Sequence, residues 1–151
     1  MPVARLFVVF SMIALCFFAC INVENEEVVE AVKARDGVFI HISHGTDDPH
    51  RVLMALAMAE KMSTDKDVIV YFDITGVEVV LEGAEDIEFS HFPSAQSQIK
   101  TLLGRGVPVV VCPGCLKAAG KTPDDVVEGV QIASKEAFFG FTDGRIITLD
   151  Y

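Results

Sequence analysis

Three short apolar segments constrain the fold of this chain more than any other feature of its sequence. They are residues 38–42 (VFIHI), 67–72 (DVIVYF) and 107–111 (VPVVV). None shows the regular alternation of apolar and polar residues that is typical of a strand with one solvent-exposed face. Each is therefore predicted to be a strand buried on both faces. Segments of helical period separate them, and a last strand is predicted at 145–149 (RIITL). This order predicts an α/β fold, in which a parallel sheet carries helices on both faces.

The helices are predicted from periodicity and from capping residues. The clearest begins at Pro49, because proline suits the first helical position and Asp48 can act as the N-cap. It continues to about Met62, and Met54 and Met58 on its outer side indicate a subunit contact. Further helices are predicted at 94–104, at 116–119 and from about Thr122 onward, whereas 74–82 fits a strand or a helix equally well.

The N-terminus carries the pattern of an export signal. Residues 6–19 are almost all apolar and follow a single cation, Arg5. A run of about fourteen residues is short for a membrane span of about twenty, and it fits the apolar core of a signal peptide. We therefore expect export, with residues 1–19 acting as a signal peptide or as an uncleaved signal anchor.

The end of this signal predicts attachment to a membrane. In Phe18-Ala19-Cys20 a small residue precedes a cysteine, as in lipoprotein signals. Cys20 is the expected lipidation site, because two or more acyl chains hold a protein stably on a membrane. An uncleaved signal anchor is the alternative, and both place the protein in the periplasm or another extracytoplasmic space.

The remainder of the chain is acidic. Residues 20–36 are predicted to form an acidic tether, and the globular domain is expected over 37–151. Without residues 1–19 the chain holds all 22 acidic and 11 of the 12 basic residues, a net charge of −11. Such a surface repels phosphate backbones, so binding to nucleic acid is not expected.

The segment Cys112-Pro113-Gly114-Cys115 carries the most specific chemical signal in the sequence. It ends an apolar strand and opens a helix, where unpaired backbone N–H groups favour a thiolate. Two intervening residues allow the second sulfur to reach the first, as a disulfide or as a resolving thiol. Cys112 and Cys115 are therefore the candidate catalytic residues, and a pair of inert buried cysteines is the alternative.

A second loop of interest, residues 43–50, follows the first predicted strand. Reactive groups in open α/β sheets gather at the carboxyl ends of the strands. This loop and the cysteine segment are therefore expected to converge. The pocket predicted between them is lined by His44, Gly45, Asp48, His50, Pro113 and Gly114.

No cofactor is expected, and zinc or copper is the alternative. Two cysteines with one or two of His44, His50 and His91 would complete a site for either metal, although the histidine spacing matches no standard zinc finger. His41 lies within the first strand and is predicted to be a hydrogen-bonded core histidine. The chain has no Gly-x-Ser-x-Gly motif, so hydrolase chemistry has no basis in the sequence.

Three segments resemble the DsrE/DsrF-like family. The first, 44–51 (HGTDDPHR), leads into a helix rich in Ala, Leu and Met. The second, 109–120 (VVVCPGCLKAAG), is similar to the cysteine segment of the family, and 141–145 (FTDGR) is similar to its ending. The resemblance covers residues 37–151.

The resemblance implies a three-layer α/β/α fold with a five-stranded, mainly parallel sheet, and homo-oligomers such as trimers or hexamers. It also implies that a cysteine after the fourth strand, here Cys112, carries persulfide sulfur between a donor and an acceptor protein. Cys115 is an addition found in some members, and it favours disulfide chemistry. The resulting hypothesis is a sulfur-relay or thiol-redox protein with Cys115 as resolving thiol; a non-catalytic, oligomeric module that binds a metal or another ligand is the alternative.

Overall fold

The computed structural model describes residues 33–151, which contain a five-stranded sheet. The sheet order is β4-β3-β2-β1-β5, and every neighbouring pair is parallel. This arrangement confirms the predicted α/β fold with a five-stranded sheet. The predicted signal at 1–19, Cys20 and most of the predicted tether lie outside the described residues. The strands are β1 (Gly37–Ile42), β2 (Asp67–Phe72), β3 (Val109–Val111), β4 (Gln131–Ile132) and β5 (Ile146–Asp150).

Helices connect the strands. The first begins as its sequence predicts, because the Asp48 side chain accepts a hydrogen bond from the Arg51 N–H (3.2 Å) and Pro49 opens the helix. In residues 33–151, no helix has the length and apolar character required to cross a membrane. The elements are α1 (Pro49–Met62), a 3₁₀ segment (Ile74–Val80), α2 (Ala95–Gly104), α3 (Pro113–Ala118), a 3₁₀ turn (Pro123–Asp125) and α4 (Lys135–Gly140).

The two faces of the sheet are covered by different helices. On one face Ile40 and Phe72 are fully buried in a core that includes Leu53 of α1 and Leu102 of α2. Residues that alternate with these point the other way, and on that face Phe138 of α4 packs against aromatic rings of β1 and β2. The fold therefore has three layers, with the sheet in the middle.

Several short elements in the second half of the domain differ from the sequence-based predictions. β4 and α4 were not predicted, because two and six residues are too few to establish a period. The helix predicted from Thr122 is only a single 3₁₀ turn, in which the Asp125 carboxylate accepts hydrogen bonds from the Thr122 N–H (2.8 Å) and hydroxyl (2.9 Å). The ambiguous segment after β2 is the 3₁₀ segment.

The last residues of the predicted tether contact the domain. The Asp36 carboxylate accepts two hydrogen bonds from the Arg145 guanidinium, at 3.0 and 2.7 Å. Arg35 donates to the backbone carbonyl of Lys66 at 2.7 Å. These contacts fix residues 35–36 at the amino-terminal end of the sheet.

Gly76 brings the 3₁₀ segment against the end of β1. A Cβ atom at this position would lie 2.4 Å from the carbonyl oxygen of Ile42, and the backbone of His44 is also close. Backbone cannot yield as the tip of a flexible side chain can. The segment can therefore pack here only if position 76 has no side chain.

We predict that Gly76→Ala lowers the free energy of unfolding by about 1–3 kcal/mol, since the added methyl group overpacks a site walled by backbone. Urea unfolding measures the change. Gly104→Ala is the matched control, because a Cβ at Gly104, the last residue of α2, meets nothing within 4 Å. Equal stability of the two variants would contradict the close approach.

Candidate functional site

Cys112 lies at the junction of β3 and α3. Its N–H donates to the carbonyl oxygen of Phe72 (2.9 Å), which continues the pairing of β3 with β2 by one residue. The chain then turns into α3, where Pro113 occupies a position that needs no N–H donor. The Cys112 sulfur caps this helix by accepting a hydrogen bond from the Cys115 N–H at 3.3 Å. The two cysteines are not joined in a disulfide, and both are half-buried, so each sulfur is partly accessible from solvent.

The surroundings of the two thiols favour ionisation of the first. Burial opposes the thiolate of Cys112, but hydrogen bonds from the Tyr71 hydroxyl, the Cys115 thiol and the backbone N–H groups of α3 outweigh it and lower the pKa of Cys112. Burial and the hydrogen bond to Cys112 raise the pKa of Cys115. This asymmetry suits a pair in which Cys112 is the nucleophile and Cys115 stays protonated until it is needed.

The 3₁₀ segment lies between the cysteine segment and the loop after β1. The backbone N–H of Ile74 lies near the Cys115 thiol and favours its ionised form, which lowers the pKa of Cys115 against the larger effect of burial. Ile74 has a φ of 48°, which is a strained conformation for a β-branched residue. Strained backbone of this kind occurs often at functional sites.

The predicted convergence of the two loops is correct in outline, but the chain after β2 separates them. Because β2 lies between β1 and β3, both loops stand at the same edge of the sheet with the 3₁₀ segment in between. On the far side of that segment, Gly45 lies against the backbone carbonyl of Thr75. The Thr75 hydroxyl in turn donates to the Ser43 carbonyl (3.0 Å) and to Asp47 (3.1 Å).

The predicted pocket residues therefore divide into two groups. Pro113 and Gly114 lie with the cysteines, whereas Asp48 caps α1. His44 shares a hydrogen bond with the Ser43 hydroxyl at 3.2 Å. The His50 ring stacks on Phe89 (4.9 Å) and contacts Phe92 (5.7 Å), in a cluster formed by α1 and the chain before α2.

A group of polar residues that no sequence pattern had indicated lies near the thiols. His41 donates or accepts hydrogen bonds at 2.8 Å with both Asp73 and Asp150, and we call these three residues the His41 cluster. His41 was predicted to be a hydrogen-bonded core histidine, and its side chain is about a quarter exposed. The signal was available in part: His41 and Tyr71 each stand one residue before the end of a predicted strand, so parallel pairing makes them neighbours.

The described residues give no geometric support for a metal site. In residues 33–151, no group of three or more His, Cys, Asp or Glu side chains is arranged so that it could hold a metal ion. Of the three candidate ligands, His44 and His50 make the other contacts described above, and His91 shares a hydrogen bond with the Ser90 hydroxyl at 3.2 Å.

The His41 cluster makes a pH-dependent contribution to stability. Burial opposes protonation of His41, but hydrogen bonds to Asp73 and Asp150 outweigh it and raise the pKa of His41 above 6.5. A raised pKa in the folded state stabilises the protein below the unfolded pKa, and this stabilisation is lost as pH rises through the folded pKa.

We predict that His41→Gln destabilises the protein more at about pH 6 than at about pH 9, because only the protonated ring gains from the two carboxylates. Urea unfolding of variant and parent across this range measures the difference. Thr148→Val, an exposed change on β5 that alters no ionisable group, is the control. A His41→Gln effect that does not vary with pH would contradict the prediction.

Comparison with known proteins places this geometry in a family. The sequence model of the DsrE/DsrF-like family matches residues 36–145. A solved protein of unknown function from Methanobacterium thermoautotrophicum is 24% identical with a TM-score of 0.57, and the match covers 76% of this chain and 99% of that one. For the YchN protein from E. coli these values are 18%, 0.53, 78% and 100%.

Identities this low establish a shared fold and nothing more specific. No curated protein matches the sequence significantly. The family model, however, spans well over half of the residues, and its range includes both cysteines, Tyr71 and His41. The chain belongs to the DsrE/DsrF-like family.

Proposed function

We propose that this protein carries sulfur or exchanges disulfides through Cys112, with Cys115 as the resolving thiol. The observation that supports this best is the environment of the Cys112 sulfur, which is half-buried, accepts a hydrogen bond from the Cys115 N–H and lies near the Tyr71 hydroxyl. These contacts stabilise a thiolate, the form in which cysteine acts as a nucleophile.

In sulfur transfer, the Cys112 thiolate attacks the outer sulfur of a donor persulfide, R–S–SH. The donor S–S bond breaks, R–S⁻ leaves, and the proton stays on the transferred sulfur to give Cys112–S–SH. An acceptor thiolate then attacks that outer sulfur, which forms the acceptor persulfide and returns Cys112 as a thiolate. No net oxidation or reduction occurs, and the partners are thiol-bearing donor and acceptor proteins.

Cys115 adds a second outcome. When Cys112 is joined to a partner through a mixed disulfide, the Cys115 thiolate attacks the Cys112 sulfur, expels the partner thiolate and forms the Cys112–Cys115 disulfide. A dithiol reductant restores the pair by two exchange steps. The same attack on Cys112–S–SH expels HS⁻.

We expect incubation with a low-molecular-weight persulfide to add the mass of one sulfur atom to Cys112. Trypsin isolates both candidate thiols in the peptide 106–117, away from Cys16 and Cys20, so peptide mass spectrometry measures the adduct directly. In the full-length chain, Cys112→Ser should abolish it, whereas the matched control Cys16→Ser should leave it unchanged. If the peptide gained no sulfur and showed no redox-dependent mass change, both versions of the proposal would be lost.

Cys115→Ser tests the resolving role separately. Without the second thiol, the Cys112 adduct should survive roughly tenfold longer or more, because an intramolecular attack has been removed. The time course of adduct loss in the same peptide gives the lifetime. An unchanged lifetime would leave Cys112 as the carrier and remove Cys115 from the mechanism.

We also propose an exported, membrane-attached homo-oligomer. The support lies in the apolar segment at 6–19, in Cys20, and in Met54, which is 41% exposed on α1.

The alternative to a sulfur or disulfide carrier is a module that binds zinc or copper at the cysteines. Metal analysis of protein purified without chelator distinguishes the carrier from the metal-binding module. Stoichiometric metal with protected thiols favours the binding module, and titratable thiols without metal favour the carrier.

A further inference from the structure

The ring of Tyr71 is held on three sides by other rings. It stacks on His41 at 5.6 Å with an angle of 26° between the planes, and it meets Phe138 edge-on at 5.0 Å. Phe39 lies at 5.8 Å. The three contacts come from β1 and α4, so the direction of the phenol does not depend on the cysteine segment itself. Tyr71 pairs with Val110 of β3, so its side chain stands on the same face of the sheet as Cys112, and its hydroxyl lies close enough to that sulfur to influence its ionisation.

We propose that Tyr71 is a further catalytic residue, whose fixed hydroxyl donates a hydrogen bond to the sulfur anion of Cys112, and that His41 is its positioning residue. The inference rests on the proposed function, because it concerns the same nucleophile. A donor that is already oriented stabilises a negative sulfur without the cost of reorganising solvent.

The phenol acts as a hydrogen-bond donor and keeps its proton. Burial, together with the hydrogen bond to Cys112 and the nearby negative charges, raises the pKa of Tyr71. A group that resists ionisation cannot serve as a base at neutral pH. Formation of the thiolate therefore releases the Cys112 proton to solvent, and no bond to the Tyr71 oxygen is made or broken.

The charges around the thiols explain the role of His41. The Asp73 carboxylate opposes negative charge on Cys115 and on Tyr71. His41 pairs with that carboxylate on one side and with Asp150 of β5 on the other, at 2.8 Å each. Its protonated ring offsets the charge of Asp73 while its face supports the Tyr71 ring. The charged residues of α4, Lys135 and Glu136, are exposed.

The pH dependence of Cys112 alkylation tests the role of Tyr71. The full-length protein with Cys115→Ser is treated with iodoacetamide over a pH series, and the peptide 106–117 reports labelling of Cys112 alone. Tyr71→Phe should raise the midpoint of the profile by about one pH unit, the size expected for one hydrogen bond to a charged group. Tyr151→Phe, the other tyrosine of the chain, is the control and should leave the midpoint unchanged.

A second pair of variants tests whether His41 acts through charge. His41→Gln should raise the midpoint, and the double variant with Asp73→Asn should bring it back toward the parental value, because the uncompensated carboxylate has been removed. A merely structural role for His41 predicts no recovery in the double variant. That result would overturn the positioning role.

The outcomes separate this inference from the proposed function. If Cys112 takes up sulfur but the folded Tyr71→Phe variant has the parental midpoint, only the role of Tyr71 is lost. If Cys112 takes up no sulfur and exchanges no disulfide, yet Tyr71→Phe still shifts its midpoint, the hydrogen bond stands and the carrier function does not. Circular dichroism of each variant establishes that it is folded.

Discussion

The parallel pairing of β1 with both β2 and β5 is the constraint on which the site depends. In this register His41 stands opposite Tyr71 on one side and Asp150 on the other. Parallel strands bring their carboxyl ends to one edge, so residues far apart in sequence become neighbours there. A slip of β2 by one residue would turn Tyr71 to the opposite face and remove it from the sulfur of Cys112.

The chemistry of the pair depends on a balance between burial and hydrogen bonding. Burial alone would raise the pKa of both thiols. At Cys112, hydrogen bonding from Tyr71, the Cys115 thiol and the backbone of α3 outweighs burial and lowers the pKa. The Ile74 backbone also favours ionisation of Cys115, but the pKa of Cys115 is still raised. The difference between the two cysteines therefore arises from which neighbours each one meets, since their burial is similar.

How much of the structure can be predicted from the sequence depends on whether a feature is set by neighbouring residues or by tertiary contacts. The apolar segments at 38–42 and 67–72 and the Asp48-Pro49 helix start are local, and they predicted the sheet and α1 correctly. Cys112 could be singled out as a candidate because its position at a strand end is also a local feature of the sequence. The His41 cluster was missed because it requires the strand order, in which β5 joins the sheet beside β1 and contributes Asp150.

His50 was predicted to lie near the thiols, but its side chain lies elsewhere. Proximity in sequence to the first loop suggested a place near the thiols, but α1 carries the side chain away toward Phe89 and Phe92. The alternation of side chains along a strand does not continue into the helix that follows it. The direction of a side chain in the first turn of that helix therefore cannot be found by counting from the strand end. Tertiary packing of the chain before α2 decides where it lies.

Ile74 combines two features that stability alone would not select. Its left-handed backbone costs about 1–3 kcal/mol, which glycine would largely avoid, and its side chain is 63% exposed. The position therefore keeps an exposed apolar side chain near Cys115 at a cost in backbone conformational energy. A partner that buried this side chain while reaching the thiols would gain about 1–2 kcal/mol from the isoleucine alone.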